Sequence, residues 1–461
     1  MKAKNGSELR RLYLGVDVGG TKIQASLVEE SGAIRHRQRV STPREGGPEA
    51  VLAAVEGAIT AVVEKEAVRL ERITALGIAV PGVVDPKAGY VVVTPNMSLG
   101  GVPVRRVLED RFRLPVALGN DCNLGALGEK WLGASRGARS ALSILVGTGI
   151  GGGFVRKGKL WRGARESAGE IGHVVMQIGG PQCGCGNRGC LESLASRTAI
   201  ERDIRAAIAA GRSSLLPELC GGDLSVIRSG ALARALAAGD AVVTDIVRRA
   251  AEVLGHACLT VRHLLDPEVI VLGGGVIEAC GGFMVPIVEN VLSADRLPGA
   301  RDGGWLLLSA LGDDAVVLGC VALARRLAGR DPFKKRFDIQ PSYPRIARTA
   351  VGEIVVGEKS YNRDVCISAY GEVKRLEKDA RGTAAGAAEP IGPQEVAKAC
   401  RGGPEVLFIG AGVKAQRVVA DEARRYLAQR AIRYEILSTP DAAAAYNKSK
   451  RRKAALLQVG G

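Results

Sequence analysis

Leu12-Tyr-Leu-Gly-Val-Asp-Val-Gly-Gly-Thr-Lys-Ile-Gln-Ala-Ser-Leu-Val28 is the stretch on which the fold class turns. The apolar run Leu12 to Val18 reads as a strand, Gly19-Gly20 as a tight turn and Ile23 to Val28 as a returning strand. Glycines let a backbone come close to phosphate oxygens, with amides and the Thr21 hydroxyl as donors. Asp17 suits Mg²⁺, held directly or through water. The same residues also suit a plain hairpin, and no GK[ST] opening a helix follows, so this is not a P-loop. Outward from it, a helix is expected from about Pro48 to Lys65. The strand Ile73 to Val80 ends at Pro81-Gly82, and a short strand, Val116 to Leu118, precedes Asn120-Asp121. The strand Ala141 to Val146 runs into Gly147-Thr-Gly-Ile-Gly-Gly-Gly153. After a mostly helical stretch, Leu191 to Leu265, the buried strand Val269 to Leu272 enters Gly273-Gly-Gly275. Strands alternating with helices, each strand ending in a glycine turn, predict an α/β protein with its sites at strand ends.

A chain of 461 residues corresponds to about three compact units. Aromatics make up only 4%, so Val, Leu, Ile and Ala must fill the core. The net charge of +16 raises the question of nucleic acid, but the surplus is spread along the chain. Its densest run, Lys448 to Lys453, has no interleaved aromatics and reads as a solvated turn. No nucleic-acid partner is expected, and a basic protein suits an anionic substrate such as ATP. No apolar run reaches the roughly 18 residues of a membrane span, and the charged start lacks the apolar core of a secretory signal. A cytoplasmic protein with no membrane partner is the expectation. Near residue 328 the pattern breaks. Asp331-Pro-Phe-Lys-Lys-Arg-Phe-Asp-Ile-Gln-Pro-Ser-Tyr-Pro344, with three prolines and clustered charge, reads as an exposed linker. Residues 345–461 then read as a separate small α/β domain. Its strands are expected at Glu353 to Val356, Asp364 to Ser368, Val406 to Ile409 and Tyr434 to Leu437. Helices are expected at Pro393 to Cys400 and Ala420 to Gln429, with a loose Ala- and Gly-rich loop at Thr383 to Pro390.

Further constellations carry chemistry. Gly147 to Gly153 suits a second phosphate-wrapping turn, with Thr148 as a donor to the transferred group; a bulged bend is the plainer alternative. His173 with Cys183-Gly-Cys185-Gly-Asn-Arg-Gly-Cys190 offers three thiolates and an imidazole, the donor set of a closed tetrahedral Zn²⁺ site. Four protein ligands leave no open position, so such a zinc is structural; a reactive thiol cluster is the other reading. Seven cysteines stand singly, as Cys258, Cys280 and Cys320 do, and are expected to pack as small hydrophobes. Asn96, Asn120, Asp121, Glu170, His173 and Glu192 lie beside these turns. A hexose needs such partners because each hydroxyl both donates and accepts, and phosphoryl transfer needs one carboxylate to take the hydroxyl proton. Taken singly, each is as readily a cap or a surface residue.

Together with Gly77-Ile-Ala-Val-Pro-Gly82 and Gly169-Glu-Ile-Gly-His173, these motifs occur in the order of the ROK family of bacterial sugar kinases and repressors. The resemblance covers roughly residues 12 to 328. It implies a two-lobed, actin-like ATPase fold. The small lobe spans about 10–122 with a helix returning at about 315–328, and the large lobe spans 123–314, so that residues 1–330 form one kinase unit. By the same resemblance Asp121 is the general base, and Asn96, Asn120, Asp121, Glu170, His173 and Glu192 hold the sugar. Asp17, Gly19, Gly20, Thr21 and Lys22 form the first phosphate loop, Thr148 and Gly149 the second, and Gly273, Gly274 and Gly275 the turn over the adenosine. His173, Cys183, Cys185 and Cys190 bind structural Zn²⁺. ATP and Mg²⁺ are the implied cofactors, and a homodimer or homotetramer is the implied assembly. Gly119 stands where the family commonly has an acidic residue.

The loops around Asn96 and Gly119-Asn-Asp121 look most like glucokinases. Fructose, N-acetylmannosamine and N-acetylglucosamine kinases are alternatives, as is a non-catalytic sugar-binding or assembly protein acting through its tail. About eleven residues precede the first phosphate strand, too few for the winged helix of a repressor. Gly352-Glu-Ile-Val-Val-Gly-Glu-Lys-Ser-Tyr361, Ile391-Gly-Pro-Gln-Glu395, Pro404-Glu-Val-Leu-Phe-Ile-Gly-Ala-Gly412 and Ala445-Tyr-Asn-Lys448 resemble the small α/β domain of a mitochondrial complex I assembly factor. That resemblance implies a binding or scaffolding module with a possible protein partner. Gly410-Ala-Gly412-Val-Lys-Ala415 approaches a dinucleotide fingerprint, but Ser438 stands where the acidic ribose ligand belongs.

Overall fold

The computed structural model describes residues 11–95, 97–300, 303–376, 390–412 and 417–459. Five strands form the first sheet, in the order Ile34–Ser41, Lys22–Glu29, Leu12–Val18, Ile73–Val80, Val116–Asn120. The first three are antiparallel and the last two join in parallel. The second sheet repeats this plan with Lys159–Leu160, Ile150–Arg156, Ser140–Val146, Val269–Gly273 and Trp305–Leu308. Again three antiparallel strands are followed by two parallel ones. Two lobes with one shared strand plan form the actin-like arrangement. In each lobe the central strand ends at the glycine turn next to its antiparallel neighbour.

The lobes meet through two helices, Asp121–Leu132 and Ala315–Leu327. They touch at backbone distance because glycines stand at the crossing. A Cβ on Gly319 would lie 1.7 Å from the Leu124 carbonyl oxygen, and one on Gly128 2.0 Å from that of Ala315. The second helix also returns to the first sheet, where Gly77 admits the Cys320 carbonyl. Val16, Leu76 and Leu118 centre the small-lobe core, and Leu142, Leu254 and Leu272 that of the large lobe. Cys258, Cys280 and Cys320 are buried.

The tail folds as a sheet ordered Val373–Arg375, Val365–Ile367, Lys453–Leu457, Val406–Gly410, Arg433–Leu437, with a three-stranded sheet, Ile346–Ala350, Glu353–Val356 and Lys359–Tyr361, beside it. Three helices, Pro393–Ala399, Asp421–Ala428 and Thr439–Lys448, flank the larger sheet. Most of the Thr383 to Pro390 loop lies outside the described residues.

Several expectations are corrected. The segment 331–344 is not a free linker. Phe333 packs against Gly158 and beneath the Arg326 guanidinium, and the Phe337 carbonyl accepts from buried Arg325 at 2.6 Å. The basic run does not end in solvent: Arg452 and Lys453 are 1% and 5% exposed. The Lys453 ammonium donates to the Tyr446 and Ser449 carbonyls and sits 4.4 Å from the Tyr446 ring centre, so its charge is solvated by protein. The strand Ile34–Ser41 carries no strand signal in its sequence, because Arg35, His36, Arg37, Gln38 and Arg39 give it no apolar alternation. Among the described residues one helix, Gly275–Ser293, is long and apolar enough to cross a membrane by length and composition. It carries Glu278 and Pro286, and Val276, Met284 and Val288 on it are core residues of the large lobe.

Candidate active site

Asp17 is the penultimate residue of the first strand, and Asn120 and Asp121 join the last strand of that sheet to the connecting helix. Asn120 is indeed a helix cap, its side-chain oxygen accepting from the Asn123 amide at 3.0 Å. Its amide group also donates to the Gly82 carbonyl at 3.0 Å, which ties the cap to the Pro81-Gly82 turn. Asp121 is the first helical residue, and its carboxylate accepts from the Cys122 amide at 2.8 Å. The helix N-terminus thus sits behind this carboxylate. Burial pushes Asp121 upward despite that hydrogen bond. Asp17 is pushed up to about 7, first by burial and then by the charge of Asp121. In strand register Asp17 pairs with Ala79 and Ala79 with Gly119, so Asp17 and Asp121 lie at the same end of the sheet.

Glycine backbones bring the second lobe to that space. A Cβ on Gly151 would lie 2.3 Å from the Cys122 sulfur, and one on Gly149 2.3 Å from Glu192 Oε2. Glu192 accepts the Ile150 amide at 2.8 Å, fixing the turn that contains Thr148 and Gly149. Thr148 receives a hydrogen bond from Arg197 at 2.8 Å, while its carbonyl accepts from Thr198. Gly274, at φ +87°, closes against Val146, so the Gly273–Gly275 turn flanks the same loop.

Glu170 is half-exposed and is pushed up by its partial burial, with His173 opposing this and Asp121 and Glu192 adding to it. Gly149, Gly151 and Gly152 abut Glu192, Cys122 and the Gly169–Ile171 segment in turn, so Glu192, Asp121 and Glu170 flank one strand, with His173 beside Glu170. Asn96 lies outside the described residues. At the first turn the Gly19 amide donates to the Lys22 carbonyl at 2.9 Å, and Gly20, Thr21 and Lys22 stay accessible. The Lys22 ammonium pairs with Asp313 at 3.3 Å, and Arg39 meets the same carboxylate at 3.0 Å. Glu278, on the helix after Gly275, is pushed up by burial and then by Asp313. Arg39, Arg197, Glu278 and Asp313 belong to no motif; only the packing of distant segments reveals them.

His173, Cys183, Cys185 and Cys190 place one donor atom each within 4.8 Å of one another. Cys183 Sγ lies 3.7 Å from His173 Nδ1, and Cys185 Sγ lies 3.8 Å from Cys190 Sγ. Zinc–sulfur bonds of about 2.3 Å in a tetrahedron give sulfur–sulfur edges of about 3.8 Å, so the donor set fits that ion. Burial pushes Cys183 up to about 12, an opposition to the thiolate that a bound cation removes. The other imidazole nitrogen, Nε2, points toward Glu170, 4.0 Å away.

Comparison with known proteins gives two matches along the chain. Residues 13–327 match the ROK family, and residues 346–457 match a family described as a protein of unknown function, DUF498/DUF598. A glucokinase of Halalkalibacterium halodurans is 34% identical over 67% of this chain and 93% of its own length. A putative xylose repressor of Caldicellulosiruptor is 30% identical over 68% of this chain and 77% of that protein. The crystal structure of a ROK family glucokinase from Streptomyces griseus, in complex with glucose and AMPPNP, superposes with a TM-score of 0.62 at 33% identity. That match covers 68% of this chain and 99% of the other.

Proposed function

The chain belongs to the ROK family and is a sugar phosphotransferase, and from that premise we propose that it moves the γ-phosphoryl group of ATP to a hydroxyl of glucose, with Asp121 as general base. The observation that supports this reading is that Asp17, in register with Ala79 and Gly119, and Asp121 lie at the same end of one sheet, where Gly151 of the second lobe packs against Cys122. Asp121, raised by burial, holds the proton that leaves the attacking hydroxyl. Amides of the Gly19-Gly20 and Thr148-Gly149 turns receive the phosphates, and Lys22 supplies a charge beside them. Asp17 is the residue suited to Mg²⁺, which would neutralise phosphate charge when bound. Asn120, Glu170, His173 and Glu192 hold the sugar hydroxyls.

Zinc held by His173, Cys183, Cys185 and Cys190 would fix the cleft wall. His173 Nδ1 and the start of the Glu192 helix would then be held together, with Nε2 left for the sugar. The Pro81-Gly82 turn bonded to Asn120 shapes the same wall. A coupled ADP-release assay over glucose, fructose, mannose, N-acetylmannosamine and N-acetylglucosamine tests the reading. Highest kcat/KM with glucose is expected. Preference for an N-acetylated sugar would reassign the substrate, and no turnover with any of them would remove the activity.

A further inference from the structure

A cleft of about 990 Å³ lies between the large lobe and the tail domain, away from the carboxylates described above. It sits at the opposite ends of the strands from the phosphate turns. Ser140 opens into it at the start of the strand that ends at Val146, about 20 Å away at strand rise. Two of the protein's three tryptophans line it, Trp161 at 51% and Trp305 at 70% exposure. Two exposed indoles on one cleft offer flat apolar faces on which a ring can stack. Neither ring is on a loose segment. The Trp161 amide donates to Phe154, whose ring meets its own at 5.5 Å, and the Trp305 amide donates to Glu268.

The charges around these rings are unequal. Arg139 is taken by Glu268 at 2.8 Å and Arg136 by Glu405 at 3.6 Å. Arg156, Lys157 and Arg433 line the cleft and carry no ion pair among the described residues, against one uncommitted carboxylate, Asp266. Arg156 and Lys157 come from the large lobe and Arg433 from the tail, so the surplus is contributed by both walls. Two flat rings beside three free cations are the partners of an anion that also has a stacking face.

We infer that this interdomain cleft binds a small phosphate ester, its phosphate on Arg156, Lys157 and Arg433 and its ring or sugar face on Trp161 or Trp305. A nucleotide and a hexose phosphate share that chemistry. The site needs both domains, which gives the fusion of the tail to the kinase a binding role. The inference stands apart from the phosphotransferase reading.

Tryptophan emission of the full-length protein, titrated separately with ADP, glucose 6-phosphate and inorganic phosphate, tests it. Trp131, the third tryptophan, is 6% exposed and contributes little to quenching. Saturable quenching is expected with one of the two esters, and which one answers names the source. Arg433→Glu and Arg156→Glu, each checked for a native circular dichroism spectrum, should weaken it at least tenfold, and Trp305→Phe should reduce its amplitude. Quenching that survives in both charge-reversed variants belongs to the catalytic cleft and overturns the site. So does an equal response to inorganic phosphate, which removes the stacking face. A change in emission with protein concentration alone would mean that a second copy of the chain covers the rings.

Discussion

Glu192 Oε2 accepts the Ile150 amide at 2.8 Å, so the helix that begins beside Cys190 is bonded directly to the turn containing Gly149. The cysteine loop, the Glu192 carboxylate and the Gly147–Gly149 turn are thus one connected unit. Cys185→Ser removes one of four donors from that unit. The expected outcome is loss of stoichiometric zinc and a rise in glucose KM of about ten-fold or more. Metal analysis alongside kinetics checks it. A wild-type protein free of zinc and fully active would defeat the argument.

Asp121→Ala should lower kcat by a factor of roughly 10² to 10⁴, the usual contribution of a positioned base. Glucose binding, measured by calorimetry, should persist, because the other hydroxyl partners remain. An unchanged kcat would take the proton-accepting role away from this residue.

The pH dependence follows from burial. Asp121 is raised, so its base form disappears as pH falls through a value above the ordinary carboxylate range, near 4. The acid limb of kcat should therefore lie above that range. Asp17, at about 7, keeps a proton in the folded ligand-free protein that the unfolded chain releases near 4. Stability of the ligand-free protein should accordingly fall as pH rises from about 4 to 7. Thermal melting of Asp17→Asn should show a flatter slope there; an identical slope would mean that Asp17 is not raised in the folded protein.

Glu129 is fully buried near the far end of the Asp121 helix. Its carboxylate accepts from Ser309 Oγ at 2.6 Å and from the Ala134, Ala310 and Leu311 amides. Glu129→Ala leaves those donors without partners and should cost about 3 kcal/mol or more of stability in denaturant titration. A cost below about 1 kcal/mol would show that water replaces the carboxylate.

What the sequence disclosed and what it hid divide along one line. Asp17, Gly149 and the cysteine loop were legible because each sits in a short motif whose spacing already implies its geometry. Asp313 was not. It reaches Lys22 across 291 positions, and only the return of the Ala315–Leu327 helix to the first sheet brings it there. Arg452 and Lys453 misled for a related reason. A charged run reads as solvated until tertiary packing supplies carbonyls and rings to surround it. The tail domain's existence was readable from its own strands and helices. Its attachment was not, since Tyr370 lies in a core cluster with Trp131 and Leu311, residues far away in the chain.

That attachment has a mechanical side. Tyr370 donates to Asp314 at 2.9 Å, and the same carboxylate takes Arg37 from the small lobe. Arg452 reaches the Ser31 carbonyl of that lobe, while the Gln429 carbonyl accepts from Leu308 and Arg136 pairs with Glu405 on the large-lobe side. The tail is thus clamped to both jaws at once. Any rotation of one jaw against the other must slide or break part of this clamp, so the travel of the cleft is set by the joint as much as by what enters between its jaws.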